Sequence, residues 1–243
     1  MPPLVVSHRT NAGDAPEHTL AGIAAALRDG CAAVEVDVRA TRDGALVLMH
    51  DETLERTTDD SRAVVAITLA DLRMLRCGPP QGHPPQPIPT LAEAMDAVGG
   101  RCTIEIDLPA RGIEEPVAAL VHRLGAERWT WFTPSSEDEA AQMLRLCPTV
   151  DVLFDITDEP LPADELARRI GAAARLGARA INPIHTALTP QAVALAHAAG
   201  LEVACWTVDA PEDIARVLAL GVDIVTTNYP RRVFAAIAAR EAR

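Results

Sequence analysis

Residues 34–60, VEVDVRATRDGALVLMHDETLERTTDD, form the stretch around which the rest of the chain is organised. The stretch begins as an apolar run that two carboxylates interrupt, Glu35 and Asp37. Because successive side chains of a strand point to opposite faces, these two carboxylates share one face. A bare buried carboxylate is costly, so we expect this face to meet water, a cation or a ligand.

The second half of the same stretch brings an imidazole to the carboxylates. Residues 42–44, RDG, predict a tight turn, and a second apolar run, ALVLMH, then ends in His50 and Asp51. A strand, a turn and a second strand would deliver these groups to one end of the fold. The combination suits a hard metal ion with an acid/base group beside it. The alternative is that the carboxylates are solvated and the histidine is a packed core residue.

Composition narrows the class of protein. The 243 residues are 49% hydrophobic, enough for one α/β barrel or for two small domains, and the formal net charge is -12. We do not expect so acidic a chain to bind nucleic acid or to associate stably with an anionic membrane. The five cysteines are odd in number, no zinc-site spacing occurs, and MPPLVVSH lacks a signal-peptide pattern, so a reduced, cytoplasmic protein is expected. No apolar run reaches the ~20 residues needed to cross a membrane.

The first third of the chain predicts a strand–helix repeat with an interruption. A helix is predicted over residues 17–29, and strands over residues 32–38 and 45–50. Residues 51–88 break this rhythm, because they hold a short helix at residues 69–76 and a Pro-rich run, CGPPQGHPPQPIP. We predict that they form an inserted segment that projects from a larger scaffold.

From Thr90 onward strand and helix patterns alternate regularly. Prolines lie near the predicted helix starts and glycines near the helix ends, where each is favoured. About eight βα units predict a (β/α)₈ TIM barrel of the α/β class, a single domain over residues 1–243 with a small insertion after the second strand. A doubly wound open sheet is the alternative, but its glycine-rich fingerprint is missing. Strands are predicted near residues 102–107, 129–133, 150–155, 179–183, 202–208 and 222–227, and helices near residues 114–124, 136–146, 163–176, 189–199, 211–220 and 230–240.

In such a barrel the chemistry lies at the C-terminal ends of the strands. The side chains at the predicted ends come from separate parts of the sequence, yet the fold would bring them to one face. Two histidines, an arginine and three or four carboxylates would then converge. The residues at these ends are His8, Arg9, Glu35, Asp37, His50, Glu105, Asp107, Asn182, Trp206, Thr227 and Asn228.

Five blocks of the chain together resemble the glycerophosphodiester phosphodiesterase family. They are SHRTNAGDAPEHTLAGI, VEVDVRATRDGALVLMHDETLERTTD, IPTLAEAM, TIEID and WTVDAPEDIARVLALGVDIVTTNYP. The family pattern reads HRG and PENT, then ELD, HD with TLxRTT, IPTL, an EIK-type strand, WTVN and TDxP. The resemblance implies a TIM barrel, a divalent cation (Mg²⁺ or Ca²⁺), and hydrolysis of small-molecule glycerophosphodiesters to glycerol phosphate and an alcohol. It also implies a place in lipid and glycerol metabolism.

Residue by residue, the resemblance implies that His8 and His50 are the catalytic pair and that Arg9 contacts the phosphate. A guanidinium makes paired hydrogen bonds to phosphate oxygens, and an imidazole transfers protons near neutral pH. We expect His50 to be the general acid and His8 the general base. Trp206, at a strand end, is expected to form a wall of the substrate pocket. The metal ligands implied by the resemblance are Glu35, Asp37 and Glu105, which carry the oxygen donors that Mg²⁺ and Ca²⁺ prefer.

The chain departs from the family pattern at four positions. Thr10 replaces Gly, where its Cβ is expected to narrow the mouth, His18 replaces Asn, and Asn228 replaces Asp. The fourth departure, Asp107 in place of Lys, reverses a charge. Because Asp107 follows Glu105 by two residues, we expect it in or near the metal shell or paired to an arginine. The alternative is a solvated loop residue.

Two further alternatives for the function remain open. The first is a phospholipase D-like or other phosphodiester hydrolase with a different alcohol, which Asp107 favours. The second is a barrel that binds a phosphorylated metabolite or a partner without turnover, against which the two histidines and the three candidate ligands argue. Glu17 is expected to complement the positive end of the first helix or to position another group.

Overall fold

The computed structural model describes residues 2–156 and 159–242 of the chain. Within these residues, the segments rich in Val, Ile and Ala form nine short strands, because such side chains suit a pleated surface buried on both faces. The strands are β1 (Leu4–Ser7), β2 (Ala33–Ala40), β3 (Leu46–Leu48), β4 (Thr103–Asp107), β5 (Thr130–Phe132), β6 (Asp151–Phe154), β7 (Ala180–Ile181), β8 (Glu202–Cys205) and β9 (Ile224–Thr227).

Eight of these strands close into a parallel barrel. The pairing runs from β1 through β2, β4, β5, β6, β7 and β8 to β9, and β9 pairs in parallel with β1. Among the described residues, closure leaves no free edge in the parallel sheet, and helices cover its outer face. The predicted (β/α)₈ TIM barrel is therefore confirmed.

The helices begin and end where capping residues and turns predict. They are α1 (Leu20–Asp29), α2 (Leu69–Leu72), α3 (Leu91–Val98), α4 (Glu114–Leu124), α5 (Glu137–Leu146), α6 (Ala163–Leu176), α7 (Pro190–Ala198), α8 (Pro211–Leu220) and α9 (Pro230–Glu241). From α4 to α9 each boundary lies within one residue of its prediction. Thr90 caps α3 in a reciprocal hydrogen-bond pair with Glu93. No helix in the described part of the chain is both long and apolar enough to span a membrane.

The predicted start of the first helix at residue 17 is wrong. His18 has a left-handed φ of 56°, so the chain cannot run as a helix through this residue. Thr19 is the N-cap instead, and its side chain accepts a hydrogen bond from the backbone N–H of Gly22. Glu17 consequently lies in the loop before the helix, where it does not complement a helix end.

Residues 51–88 extend from a hairpin outside the barrel. Strand β3 pairs antiparallel with β2, with Leu48 opposite Val38, and the segment leaves from its end. It contains α2, which is shorter than the predicted helix at residues 69–76. The segment packs on the hairpin through its own apolar cluster, formed by Val47, Met49, Leu54, Val64, Ile67, Leu72, Cys77 and Ile88.

The barrel interior changes from apolar to polar along its axis. One buried cluster contains strand residues alone: Val6, Ala33, Trp131, Leu153, Ala180, Ala204 and Ile224. Glu35 and Asp37 follow Ala33 at intervals of two residues, so they share its interior face nearer the C-terminal end of β2. The same alternation places Glu105 and Asp107 inside on β4. The polar residues are thereby collected at one end of a closed apolar wall.

Candidate active site

An open cavity of about 150 Å³ lies at the C-terminal end of the barrel strands. All eight side chains predicted from the sequence to serve in catalysis, substrate binding or metal binding border this cavity. Three further lining residues, Thr133, Asp155 and Thr226, were not predicted, although the predicted strands 129–133 and 150–155 end at the first two. Thr227 and Asn228 were also predicted at the mouth, but neither lines the cavity. The full lining is His8, Arg9, Glu35, Asp37, His50, Glu105, Asp107, Thr133, Asp155, Asn182, Trp206 and Thr226.

Four carboxylates are side by side on two neighbouring strands. The register of β2 and β4 pairs Glu35 with Glu105 and Asp37 with Asp107. Burial and the nearby Asp37 carboxylate raise the pKa of both Glu35 and Asp107 well above the ordinary values. Burial raises the pKa of Glu105 to about 7, although Thr133 donates a hydrogen bond to it at 2.8 Å. The group therefore favours a bound proton or cation.

Asp37 differs from the other three carboxylates because a histidine and an arginine side chain both lie within 3.6 Å of it. His18 Nε2 lies 2.8 Å from Asp37 Oδ2, and Arg9 Nε lies 3.6 Å from the same oxygen. Burial acts to raise the pKa of Asp37, but the hydrogen bond and charge of His18 outweigh it, and the pKa is lowered. Asp37 is thus the one of the four whose pKa shift favours the ionised form. His18, one of the four departures from the family pattern, is its direct partner.

The turn after β1 places Arg9 at the cavity. Arg9, Thr10 and Asn11 have φ values of 45°, 67° and 109°, a left-handed run that side chains other than glycine rarely adopt. Each such residue costs on the order of 1–3 kcal/mol, so surrounding contacts must hold the turn in place. One of them is the Arg9 backbone N–H, which donates to Glu35 Oε2 at 2.7 Å. The turn therefore joins the arginine directly to a carboxylate of the group.

Thr10 does not narrow the mouth, contrary to the expectation from the sequence. The residue is fully buried, and its hydroxyl oxygen accepts a hydrogen bond from the Thr19 backbone N–H at 3.1 Å. It packs against the start of α1, where a Cβ added at Gly22 would clash with it. The side chain thus braces the left-handed turn from behind and leaves the cavity unchanged.

His8 is held from the last loop of the barrel. Its Nδ1 lies 2.8 Å from the amide oxygen of Asn228, whose NH₂ group donates to Asp209 at 2.7 Å. Because that oxygen can only accept, Nδ1 carries the hydrogen and Nε2 is the basic nitrogen. Burial, followed by the charge of Arg9, lowers the pKa of His8 to about 4. His8 is therefore neutral at neutral pH. The family pattern WTVN with TDxP has the amide and the carboxylate in the opposite order, so Asp209 is a further departure besides the four named from the sequence.

His50 is held by Asp51, at the start of the segment 51–88. Its Nδ1 lies 2.6 Å from Asp51 Oδ1, and its backbone carbonyl accepts from Arg39 Nε at 2.9 Å. Partial burial acts to raise the pKa of Asp51, but hydrogen bonds from Arg56 and His50 lower it to about 2. A carboxylate bonded to Nδ1 fixes the ring orientation and leaves Nε2 for a substrate.

Trp206 borders the cavity on the side of β8. Its indole N–H donates to the carbonyl of Asn182 at 3.1 Å, which fixes the plane of the ring. The ring therefore presents a rigid apolar surface beside the polar groups, as a wall of a substrate pocket requires.

The oxygen-rich side of the cavity fits a divalent cation. In residues 2–156 and 159–242, no three His, Cys, Asp or Glu side chains already form a metal-binding group. The chemistry of the donors nevertheless suits a hard ion, because all four are carboxylates. Buried Glu105 Oε2 finds no hydrogen-bond partner among the described residues, so a lone pair there is left for a ligand. Glu35, Asp37 and Glu105 thus fit the group that the sequence resemblance implies.

A closed parallel barrel with two imidazoles, a guanidinium and clustered carboxylates at its C-terminal mouth defines a hydrolase of phosphate esters. The chain belongs to the glycerophosphoryl diester phosphodiesterase family, whose model matches residues 8–232. The predicted enzyme class, a phosphoric diester hydrolase, is confirmed by this membership, and the barrel that binds without turnover is set aside.

Relatives match nearly the whole chain. It is 35% identical to the "Probable glycerophosphodiester phosphodiesterase 1" of Mycobacterium tuberculosis over 257 residues, 95% of this chain and 90% of that protein. It is 31% identical to the glycerophosphodiester phosphodiesterase of Bacillus subtilis, over 93% of this chain and 84% of that protein. An Oleispira antarctica phosphodiesterase, solved with the product sn-glycerol-3-phosphate, superposes with a TM-score of 0.84 at 27% identity, covering 97% of each chain.

Proposed function

We propose that this protein hydrolyses glycerophosphodiesters to glycerol phosphate and an alcohol with the help of a divalent cation and two histidines. The observation that carries the proposal is the single cavity that both imidazoles, Arg9 and the carboxylates share. The glycerol phosphate bound to the Oleispira relative supports glycerol phosphate as the product here. We further propose that residues 1–243 act as one domain, with residues 51–88 inserted in it.

Substrate binding falls to the basic and aromatic residues of the mouth. Arg9 would bind the phosphoryl oxygens through its guanidinium, which suits their geometry. Trp206 would pack against the organic part of the substrate. Glu35, Asp37 and Glu105 would hold Mg²⁺ or Ca²⁺, which when bound neutralises charge on the phosphoryl oxygens. Asp107 would add a fourth carboxylate at the edge of this ion.

His8 is proposed as the general base. Its Nε2 bears no proton at neutral pH, because the pKa of the ring is lowered to about 4. This nitrogen lies 4.0 Å from Glu35 Oε2, and so beside the proposed ion. It would take the proton of the attacking oxygen, which belongs to water or to the neighbouring glycerol hydroxyl of the substrate. Attack by the hydroxyl would expel the alcohol and form a cyclic phosphate, which water would then open to glycerol phosphate.

His50 is proposed as the general acid. Its Nδ1 is bonded to Asp51, so Nε2 is the nitrogen that would give a proton to the departing alcohol. The carboxylate compensates the charge of the ring when it carries that proton. The two histidines thereby divide the proton transfers, one neutral by burial and one paired with an anion.

The experiment is an assay of glycerol phosphate release from several glycerophosphodiesters. We expect turnover with Mg²⁺, Mn²⁺ or Ca²⁺, loss of turnover on exhaustive chelation, and recovery when the ion returns. Full activity in chelator, with no metal detected by elemental analysis, would contradict the metal requirement. Absence of glycerol phosphate from every substrate, with the ion present, would contradict the function itself.

Asp107 favours a second candidate, a phospholipase D-like or other phosphodiester hydrolase that takes a different alcohol. The carboxylate lies in the cavity where the family pattern has lysine, so the charge met by the substrate differs. Comparing rates on glycerophosphodiesters with rates on phosphodiesters that lack a free glycerol unit separates the two candidates. The predicted cytoplasmic location and the role in lipid and glycerol metabolism stay predictions.

A further inference from the structure

Polar contacts from the inserted segment, residues 51–88, converge on Glu17 at the edge of the active site. Arg56 donates to both oxygens of this buried carboxylate, at 2.7 and 2.8 Å, and Gln81 donates to it at 2.8 Å. From the barrel side, Arg9 Nη1 lies 3.5 Å from Glu17 Oε1. One carboxylate therefore joins the insertion to the arginine proposed to bind phosphate.

The same guanidinium also reaches the proposed general acid. Arg56 Nε donates to Asp51 Oδ2, and the other oxygen of Asp51 lies 2.6 Å from His50 Nδ1. Glu17, Arg56, Asp51 and His50 thus form a continuous chain of alternating charges. All three nitrogens of the Arg56 guanidinium are used, two on Glu17 and one on Asp51.

His50 needs such a support because packing does not hold its ring. Its side chain is 42% exposed, and the hydrogen bond from Arg39 fixes only the backbone carbonyl. The direction of the ring then depends on Asp51, which is itself partly exposed. A small misplacement of a reacting group is costly in rate, so the position of this carboxylate matters for proton transfer.

We propose that Glu17 and Arg56 are positioning residues that align His50, through Asp51, for protonation of the leaving alcohol. The inference rests on the proposed function, in which His50 is the general acid. The planar guanidinium of arginine is required at position 56, because one side chain must donate hydrogen bonds to two carboxylates in fixed directions. The ammonium group of lysine is a point charge, and it cannot make these three hydrogen bonds together.

The test compares leaving groups in the metal-loaded enzyme. Glycerophosphocholine releases an alkyl alcohol that needs a proton, whereas the 4-nitrophenyl ester of glycerol phosphate releases a stable anion. We expect Arg56→Ala to lower kcat on glycerophosphocholine about 10- to 100-fold with KM changed less than about twofold, because a transition-state interaction is lost. On the nitrophenyl ester the loss should be less than about threefold.

Two further variants sharpen this test. Arg56→Lys should behave like Arg56→Ala on the choline ester, although it keeps the charge and disturbs folding less. Arg62→Ala is the matched control, because Arg62 lies on the same segment and pairs with Asp60 away from the cavity. It should leave both rates unchanged.

The outcomes separate the inference from the proposed function. An equal loss on both esters, or full activity of Arg56→Lys, would overturn the positioning role while leaving the hydrolase intact. A parent enzyme that releases glycerol phosphate from neither ester would overturn the proposed function, and the positioning role would fall with it. If circular dichroism shows that Arg56→Ala does not fold, Arg56→Lys alone decides between these outcomes.

Discussion

The two histidines at the barrel mouth are held in opposite ways. His8 directly follows the first strand, has 18% of its side chain exposed, and bonds to the neutral amide of Asn228. His50 directly precedes the segment 51–88, has 42% of its side chain exposed, and bonds to the charged Asp51. Burial in the barrel thus keeps the imidazole of His8 neutral. The imidazole of His50 is instead bonded to the chain of ion pairs that Asp51, Arg56 and Glu17 form. The difference indicates that the two proton-transfer roles proposed for these residues would be set by different physical means.

Removal of either ring should give the largest effect on turnover. His8→Ala and His50→Ala should each lower kcat about 10²- to 10⁴-fold, the usual range for general acid–base groups. If the roles are divided as proposed, only His50→Ala should recover activity on a substrate with a good leaving group. Steady-state rates of both variants on alkyl and nitrophenyl esters measure whether activity depends on the leaving group.

His197→Ala is the control for His50→Ala. His197 is also 42% exposed and lies 2.8 Å from an aspartate, Asp223, but it is remote from the cavity. Its replacement should leave turnover unchanged. A folded His50→Ala enzyme with near-normal turnover on an alkyl ester would remove this residue from the mechanism.

A carboxylate in place of Asn228 should give His8 a charged partner on Nδ1, as His50 already has. Asn228→Asp would put a carboxylate on His8 Nδ1, stabilise the protonated ring and raise the pKa of His8. The base would then be protonated at low pH, so the acidic limb of the kcat/KM profile should move up by about one pH unit or more. The double variant Asn228→Asp with Asp209→Asn restores the family order. An unshifted acidic limb in both variants would contradict the role of Asn228.

Substitutions of Asp107 test whether its carboxylate contributes to metal affinity. If it helps to hold the ion, Asp107→Ala should weaken metal affinity about 10-fold, as is typical of residues near a metal shell. Asp107→Lys should weaken it further, because a cation would replace an anion beside the site. Calorimetric titration of Ca²⁺ or Mg²⁺ measures both affinities. Unchanged metal binding in both variants would mean that Asp107 is only a solvated wall of the cavity.

The smallest effects should appear in the pH dependence of stability. The pKa of Glu105 is raised to about 7, so its contribution to metal-free stability is fully present below about pH 4.5 and is lost as pH rises through 7. Burial opposes ionisation of Glu17, but Arg56 lowers its pKa to about 2, so its contribution is present above about pH 4.5 and is lost as pH falls.

Thermal melts of two variants measure these opposite signs. At pH 8 without metal, Glu105→Gln should raise Tm by several degrees, on the order expected for a chain of this size, and at pH 4 it should change little. Glu17→Gln should lower Tm at pH 7 and have less effect near pH 3. If Tm of the two variants shifted in the same direction at each pH in this range, the environments assigned to Glu105 and Glu17 would be contradicted.

The sequence by itself determined the barrel and the carboxylate side of the cavity. Prolines and glycines at helix ends fixed the later helices, because these residues are restricted by local backbone geometry. Alternation along a strand put Glu35 with Asp37 and Glu105 with Asp107, and parallel closure then brought both pairs to one end. Such inferences succeed because they depend on periodicity and on a general rule for barrels.

Only the tertiary structure decided which side chains of the site are hydrogen-bonded to one another. Arg56 meets Glu17 across 39 positions, and His18 meets Asp37 across 19, so neither contact is written in local sequence. Both depend on left-handed turns at Arg9 and His18, which L-residues rarely adopt and which packing must enforce. The sequence names the reactive groups, whereas long-range hydrogen bonds fix their directions, because a side chain's orientation depends on partners that only folding brings near.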